Sequence, residues 1–152
     1  MRLAVLLAQQ GIHTLIEGEQ PQTESEYNAR VTPLLGATLP PWSTVLAMLE
    51  AENAAARVRS VKDEAQRRII ARTGASDFQS CITKQLNAQM RALELTRKQV
   101  SGETLSGAEV AEAAALQALA DDIKALRGCS NALEAMTPIP DDFADDAHWE
   151  IG

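Results

Sequence analysis

The chain has 152 residues, enough for one domain whose core needs no disulfide or metal. Aromatic residues make up only 3% of it while alanine and leucine are abundant, a composition that disfavours a β-sandwich and suits closely packed helices. The formal net charge of −7 argues against general binding to nucleic acid or anionic lipid.

Residues 1–41 are expected to form a short N-terminal arm. Two small apolar runs, Leu3 to Ala8 and Ile12 to Ile16, flank Gln9-Gln10-Gly11 and fit two strands of a hairpin or, for either run, a helical turn. The first run is too short for a secretion signal and no small-x-small cleavage site follows it. Glu17 to Arg30 is polar and weakly patterned, which reads as a loop, and Pro33, Pro40 and Pro41 break regular structure after it.

A helical body is expected over 42–137. Ser43 is placed to cap the first helix, and Val45, Leu46, Leu49, Ala56, Val58, Val61, Ala65 and Ile69 form its apolar stripe. It runs to about Arg72 before Gly74, a length at which either an unbroken helix or a break near Asn53 is open. Ser76 or Asp77 caps the second helix, in which Phe78, Ile82, Leu86, Met90 and Leu93 recur at helical spacing and are expected to face the core; Ser101-Gly102 ends it. The third opens on the capping box Ser106 to Glu109 and carries Val110, Ala113, Leu116, Ala120, Ile123, Leu126 and Leu133 before Pro138 and Pro140. Gly128 within it marks a bend or a close crossing. Residues 138–152 then form an extended acidic tail with two aromatics, Phe143 and Trp149. The fold class expected is all-α: three long amphipathic helices in an antiparallel, bundle-like body, with an irregular or β-hairpin N-terminal segment.

Charge is unevenly distributed. Arg57 to Lys98 holds ten basic and four acidic residues, leaving four basic and seventeen acidic residues elsewhere. The run Arg57, Arg59, Lys62, Arg67, Arg68, Arg72 reads as a solvated face or as a dock for an acidic segment, and Arg68 and Arg72 share a face at i,i+4 spacing. Without interleaved aromatics or a helix-turn-helix pattern it is a poor nucleic-acid footprint. No enzymatic chemistry is expected. Asp141-Asp142-x-x-Asp145-Asp146 lacks the opposing ligands that a hard cation needs. His13 and His148 have no neighbouring histidine or cysteine, and Cys81 and Cys129 have no base to activate them. These two cysteines form neither a disulfide framework nor a CxxC pair, so a reducing compartment is expected. There is no phosphate-binding glycine loop and no nucleophile elbow. No cofactor, metal or membrane span is therefore expected.

One ordered set of short motifs carries a resemblance. Val61-Lys62-Asp63-Glu64-Ala65-Gln66-Arg67-Arg68-Ile69 is followed by Ile123-Lys124-Ala125-Leu126-Arg127 and Ser130-Asn131-Ala132-Leu133-Glu134, then by Pro138-Ile139-Pro140-Asp141-Asp142-Phe143 and Asp145-Asp146-Ala147-His148-Trp149. Over about residues 58–149 this order resembles the C-terminal region of small tailed-phage and prophage tail proteins, of the tail-fibre assembly or tail-assembly chaperone type. Relatives of that kind end soon after a Trp-Pro, whereas Glu150-Ile151-Gly152 follow Trp149 here, and residues 1–57 carry no motif of the family. The resemblance implies a non-enzymatic role in a phage tail, as a virion component near the tail tip or fibre attachment, or as a transient assembly chaperone. A small nucleic-acid-binding regulator using residues 57–98 is a reading of a different class. Partners implied are other tail or tail-fibre proteins, with a homo-oligomer also open, located in the host cytoplasm during assembly and in the virion tail thereafter. Trp149, Phe143 and Trp42 are the expected aromatic anchors of such contacts, and Arg67, Arg68 and Arg72 the expected partners of acidic segments. Removing residues 141–152 is expected to weaken partner binding while sparing the helices.

Overall fold

The computed structural model describes residues 3–150. It is mainly helical, with three long helices and one small antiparallel strand pair, in the order α1 (Leu3–Gln9), β1 (Thr14–Ile16), α2 (Glu24–Arg30), β2 (Val31–Pro33), α3 (Trp42–Thr73), α4 (Phe78–Val100) and α5 (Gly107–Glu134). The chain folds as two compact units, residues 1–57 and 58–152. This division differs from the expected segments 1–41, 42–137 and 138–152. The first turns of α3 complete the core of the N-terminal unit, and the C-terminal segment completes that of the other.

In the N-terminal unit the strand pair exists, but its partners are not the two apolar runs. Leu3 to Gln9 is a helix that buries Leu3, Leu6 and Leu7, and β1 pairs instead with β2, Leu15 opposite Thr32 and Ile16 opposite Val31. The segment read as a loop contains α2. Thr23 caps it by accepting from the Glu26 amide, Glu24 and Glu26 occupy its first turn, and Arg30 lies in its last, so each end complements the helix dipole. The reason for α2 is tertiary. Tyr27 is its one buried residue, and it joins Leu3, Leu7, Val31 and Val45 in one cluster with Trp42, Leu39 and Leu49 against it. The Tyr27 hydroxyl donates to the Pro40 carbonyl at 3.1 Å, and its ring lies 5.3 Å from that of Trp42.

Helix α3 begins at Trp42, and the Pro41 carbonyl accepts from the amides of Thr44 and Val45, so the cap lies at Pro41 and not at Ser43. It continues through Asn53 without a break. It ends in a Schellman arrangement: Ala75 donates to Ile70 and Gly74 to Ala71, with Gly74 at φ +62°, a conformation in which a side chain would be strained. Helix α4 closes the same way, Glu103 donating to Lys98 and Gly102 to Gln99. Both expected N-terminal signals are present. Asp77 caps α4 in a box with Ser80, and Ser106 caps α5 in a box with Glu109. No close crossing is found at Gly128, where an added Cβ would meet nothing within 4 Å. Gly128→Ala is therefore expected to stabilise α5 by about 0.5–1 kcal/mol, read as a higher Tm.

In the C-terminal unit the ion pairs fix the sense of packing. Lys62 meets Glu134 and Arg72 meets Asp122, opposite orders along α3 and α5. Arg91 meets Glu112 and Lys98 meets Glu109, again opposite orders along α4 and α5. Helices α3 and α4 thus both run antiparallel to α5. The core is Val61, Ala65, Leu126, Leu133 and Trp149, with Ile69, Cys129, Ile139 and Phe143 beside it. Residues 141–149 are not an extended tail. They form turns and a short 3-10 helix at Asp146–His148, and they bring Trp149 to 3% exposure.

The α4–α5 pairing carries an acid signature. Hydrogen bonding from Lys98, helped by the Ser106 amide, lowers the Glu109 carboxyl from 4.5 to about 2, and bonding from Arg91 lowers that of Glu112. A depressed folded pKa gives stability that is present above the unfolded value and lost as pH falls through the folded one. Helicity of this pair is therefore expected to decline between about pH 4.5 and pH 2, and Glu109→Gln, which keeps the cap geometry, to flatten that decline in a circular dichroism titration.

Candidate docking surface

The feature of the C-terminal unit that is least consistent with an isolated fold is the outward face of α4. At 3.6 residues per turn, Phe78, Ile82, Leu86, Met90, Leu93 and Val100 fall within about 120° of its circumference. The sequence pattern assigns the first five to the core. In the structure they are 43–65% exposed, and Val100 is 83% exposed. The side of α4 that is buried is a different one, roughly 130° away: Cys81 and Leu95 are its enclosed residues, and Ala88 and Ala92 lie on the same side.

The physical reason is the choice between two apolar faces. The side that bears the small residues Ala88 and Ala92 is turned to α5, where the Arg91–Glu112 pair at 2.8 Å and the Lys98–Glu109 pair at 2.6 Å lock the register. Large side chains on the other face then have no described element of the C-terminal unit over them. Their exposed rim is almost free of charge: Gln79, Thr83, Gln89 and Thr96 border the stripe, and Arg97 is the one cation beside it. A groove of about 700 Å³ runs between α4 and α5, floored by Leu95, Leu116 and Ile123 and edged by glutamines. A smaller cleft of about 330 Å³ lies where Phe78 and Ile82 approach Ile69 and Ile70 of α3.

The six residues expected at an interface lie elsewhere. Trp149 and Phe143 face inward, the Trp149 indole N–H donating to the Phe143 carbonyl at 2.7 Å. Arg68 lies over the Trp149 ring, 5.1 Å from its centroid. It donates to the Ala144 carbonyl at 2.8 Å and pairs with Asp146 at 2.7 Å. The match between basic middle and acidic end is therefore made within the chain. Glu64 binds Arg67 and Arg68 together, and hydrogen bonding from Arg67 holds its carboxyl below the usual range. Arg72 pairs with Asp122 of α5. Trp42 is half-buried in the other unit, against Tyr27. Arg68 and Trp149 are thus brought together with Arg67 at the edge of their cluster, while Arg72 and Trp42 stand apart.

Among the described residues no group of three or more His, Cys, Asp or Glu is arranged to hold a metal ion. No helix of the described chain is long and apolar enough to cross a membrane. Comparison with known proteins gives no matching family model, no matching curated sequence and no matching solved structure. The sequence signal for the α4 face was its regular 4-4-4-3 spacing, which says that a face is apolar and not which neighbour covers it.

Proposed function

We propose that this chain is a non-enzymatic phage tail protein, a structural component of the virion near the tail tip or fibre attachment, acting through protein–protein binding. The observation that carries the binding role is the exposed stripe of α4. Monomeric proteins seldom leave a contiguous apolar patch larger than a few hundred Å² in water, and larger ones mark interaction sites. The tail assignment rests on the ordered motifs of residues 58–149. The α4–α5 pair serves in this reading as the platform that holds the stripe rigid, which lowers the entropy lost on docking. A nucleic-acid role is less well supported, because Arg67, Arg68, Arg72, Arg91 and Lys98 already face carboxylates.

A transient assembly chaperone would use the same stripe and then release it. Quantitative mass spectrometry of purified particles, normalised to the major tail protein, separates the two. A fixed low copy ratio is the expected result for a structural component. Absence from particles despite expression in infected cells would replace it with the chaperone. Loss of neither particles nor infectivity on deletion of the coding sequence would remove the tail role altogether.

A further inference from the structure

We infer that the partner seated on the α4 stripe is a second copy of this chain, its α4 lying antiparallel to the first across a two-fold axis that passes between Leu86 and Met90. The inference rests on the docking role just proposed for that face and names its occupant.

Two observations point to a second copy. The first is area. Six exposed side chains contribute on the order of 600 Å² of apolar surface. With the exposed amides and hydroxyls of Gln79, Thr83, Gln89 and Thr96 at the rim, that approaches the ~800 Å² per partner of a standard stable interface. A 23-residue helix is long enough to present it in one line.

The second is self-complementarity, which an isologous contact demands. With the two helices antiparallel about the midpoint of Leu86 and Met90, Leu86 lies opposite the partner's Met90 and Ile82 beside the partner's Leu93. The lone cation at the stripe, Arg97, then meets the partner's Phe78 ring and the partner's Asp77 carboxylate. The first is a cation–π contact and the second an ion pair at a helix N-terminus, both favourable. A parallel pair in register would set Arg97 against the partner's Arg97 and align the two helix dipoles, both unfavourable. A second copy supplies the complement of Arg97 from the same helix.

The test is sedimentation equilibrium of the purified full chain beside Leu86→Gln/Met90→Gln, with circular dichroism to show that both are folded. Both residues are more than half exposed, so helicity should be unchanged. The expected result is a dimer for the natural chain and at least a ~100-fold weaker association for the variant, from the apolar area lost on both copies. Register is read in a Cys129→Ser background. Ile82→Cys/Leu93→Cys should oxidise to a covalent dimer while Ile82→Cys alone should not, since only a parallel pair brings two copies of residue 82 together. Cross-linking by the single variant, or a dimer indifferent to Leu86→Gln/Met90→Gln, would overturn the inference. A natural chain that stays monomeric well above micromolar concentration would overturn it too. If the same variant were then lost from particles, the α4 face would still dock another protein; if it were retained, that reading would fall as well.

Discussion

Replacing Trp149 by alanine is expected to destabilise the C-terminal unit by about 3–5 kcal/mol, the range for a large aromatic removed from a closed core. The ring is 3% exposed and packs with Val61, Ala65, Leu126 and Leu133, so the cavity would open between α3 and α5. Arg68 would lose the face it covers at 5.1 Å, and with it one of the groups that hold residues 144–146 in place. For a domain of this size the loss corresponds to a fall in Tm on the order of 10–20 °C. Arg68→Ala should cost less, about 1–2 kcal/mol, because Glu64 keeps Arg67 as a partner. A Trp149→Ala chain whose Tm moves by only ~2 °C would show residues 141–149 to be a separable tail, with Trp149 and Phe143 available to a partner as the sequence suggests. The structure predicts instead that removing 141–152 perturbs the helical body itself.

Tyr27→Ala is expected to have an effect of similar size, about 3–5 kcal/mol, confined to the N-terminal unit. Tyr27 links three parts of that unit: α2, the Trp42 ring at the start of α3, and the Pro40 carbonyl. Tyr27→Phe keeps the ring and leaves the carbonyl without its donor, a loss of about 1 kcal/mol. The two tryptophans of the sequence make the measurement selective, since Trp42 lies in one unit and Trp149 in the other. In a Trp149→Phe background, Trp42 fluorescence should report early unfolding of Tyr27→Ala. A coincident, undisplaced transition would show that Tyr27 does not hold this unit together. Burial also raises the Tyr27 phenol above its ordinary 10.0. The stability that the neutral phenol gives is present below that value and lost as pH climbs through the raised one, so the N-terminal unit should weaken first in alkali.

Local signals in the sequence were sufficient at most helix ends, the start of α3 being the exception, where the cap lies at Pro41 and not at Ser43. The caps at Asp77 and Ser106, the glycine stops at Gly74 and Gly102, and the long helical periodicities each depend on residues within a few positions of one another. Apolar spacing therefore determined that three long helices form and roughly where each begins and ends. Helix α2 was not legible, because a polar seven-residue segment is helical only once Tyr27 is buried by distant residues. The strand partner of β1 was hidden for the same reason, since β2 lies beyond α2. Among candidate site residues, the basic run and the acidic end were correctly complementary, yet charge alone could not say whether they meet within one chain or between two. The largest divergence is α4. Its sequence offers a face of large side chains and a face of small ones, and periodicity ranks the large face as core. Tertiary structure decided for the small face, because Arg91 and Lys98 pair with Glu112 and Glu109 and hold that side of α4 towards α5. Phe78, Ile82, Leu86, Met90 and Leu93 are thereby left at the surface, a result that their spacing alone could not foretell.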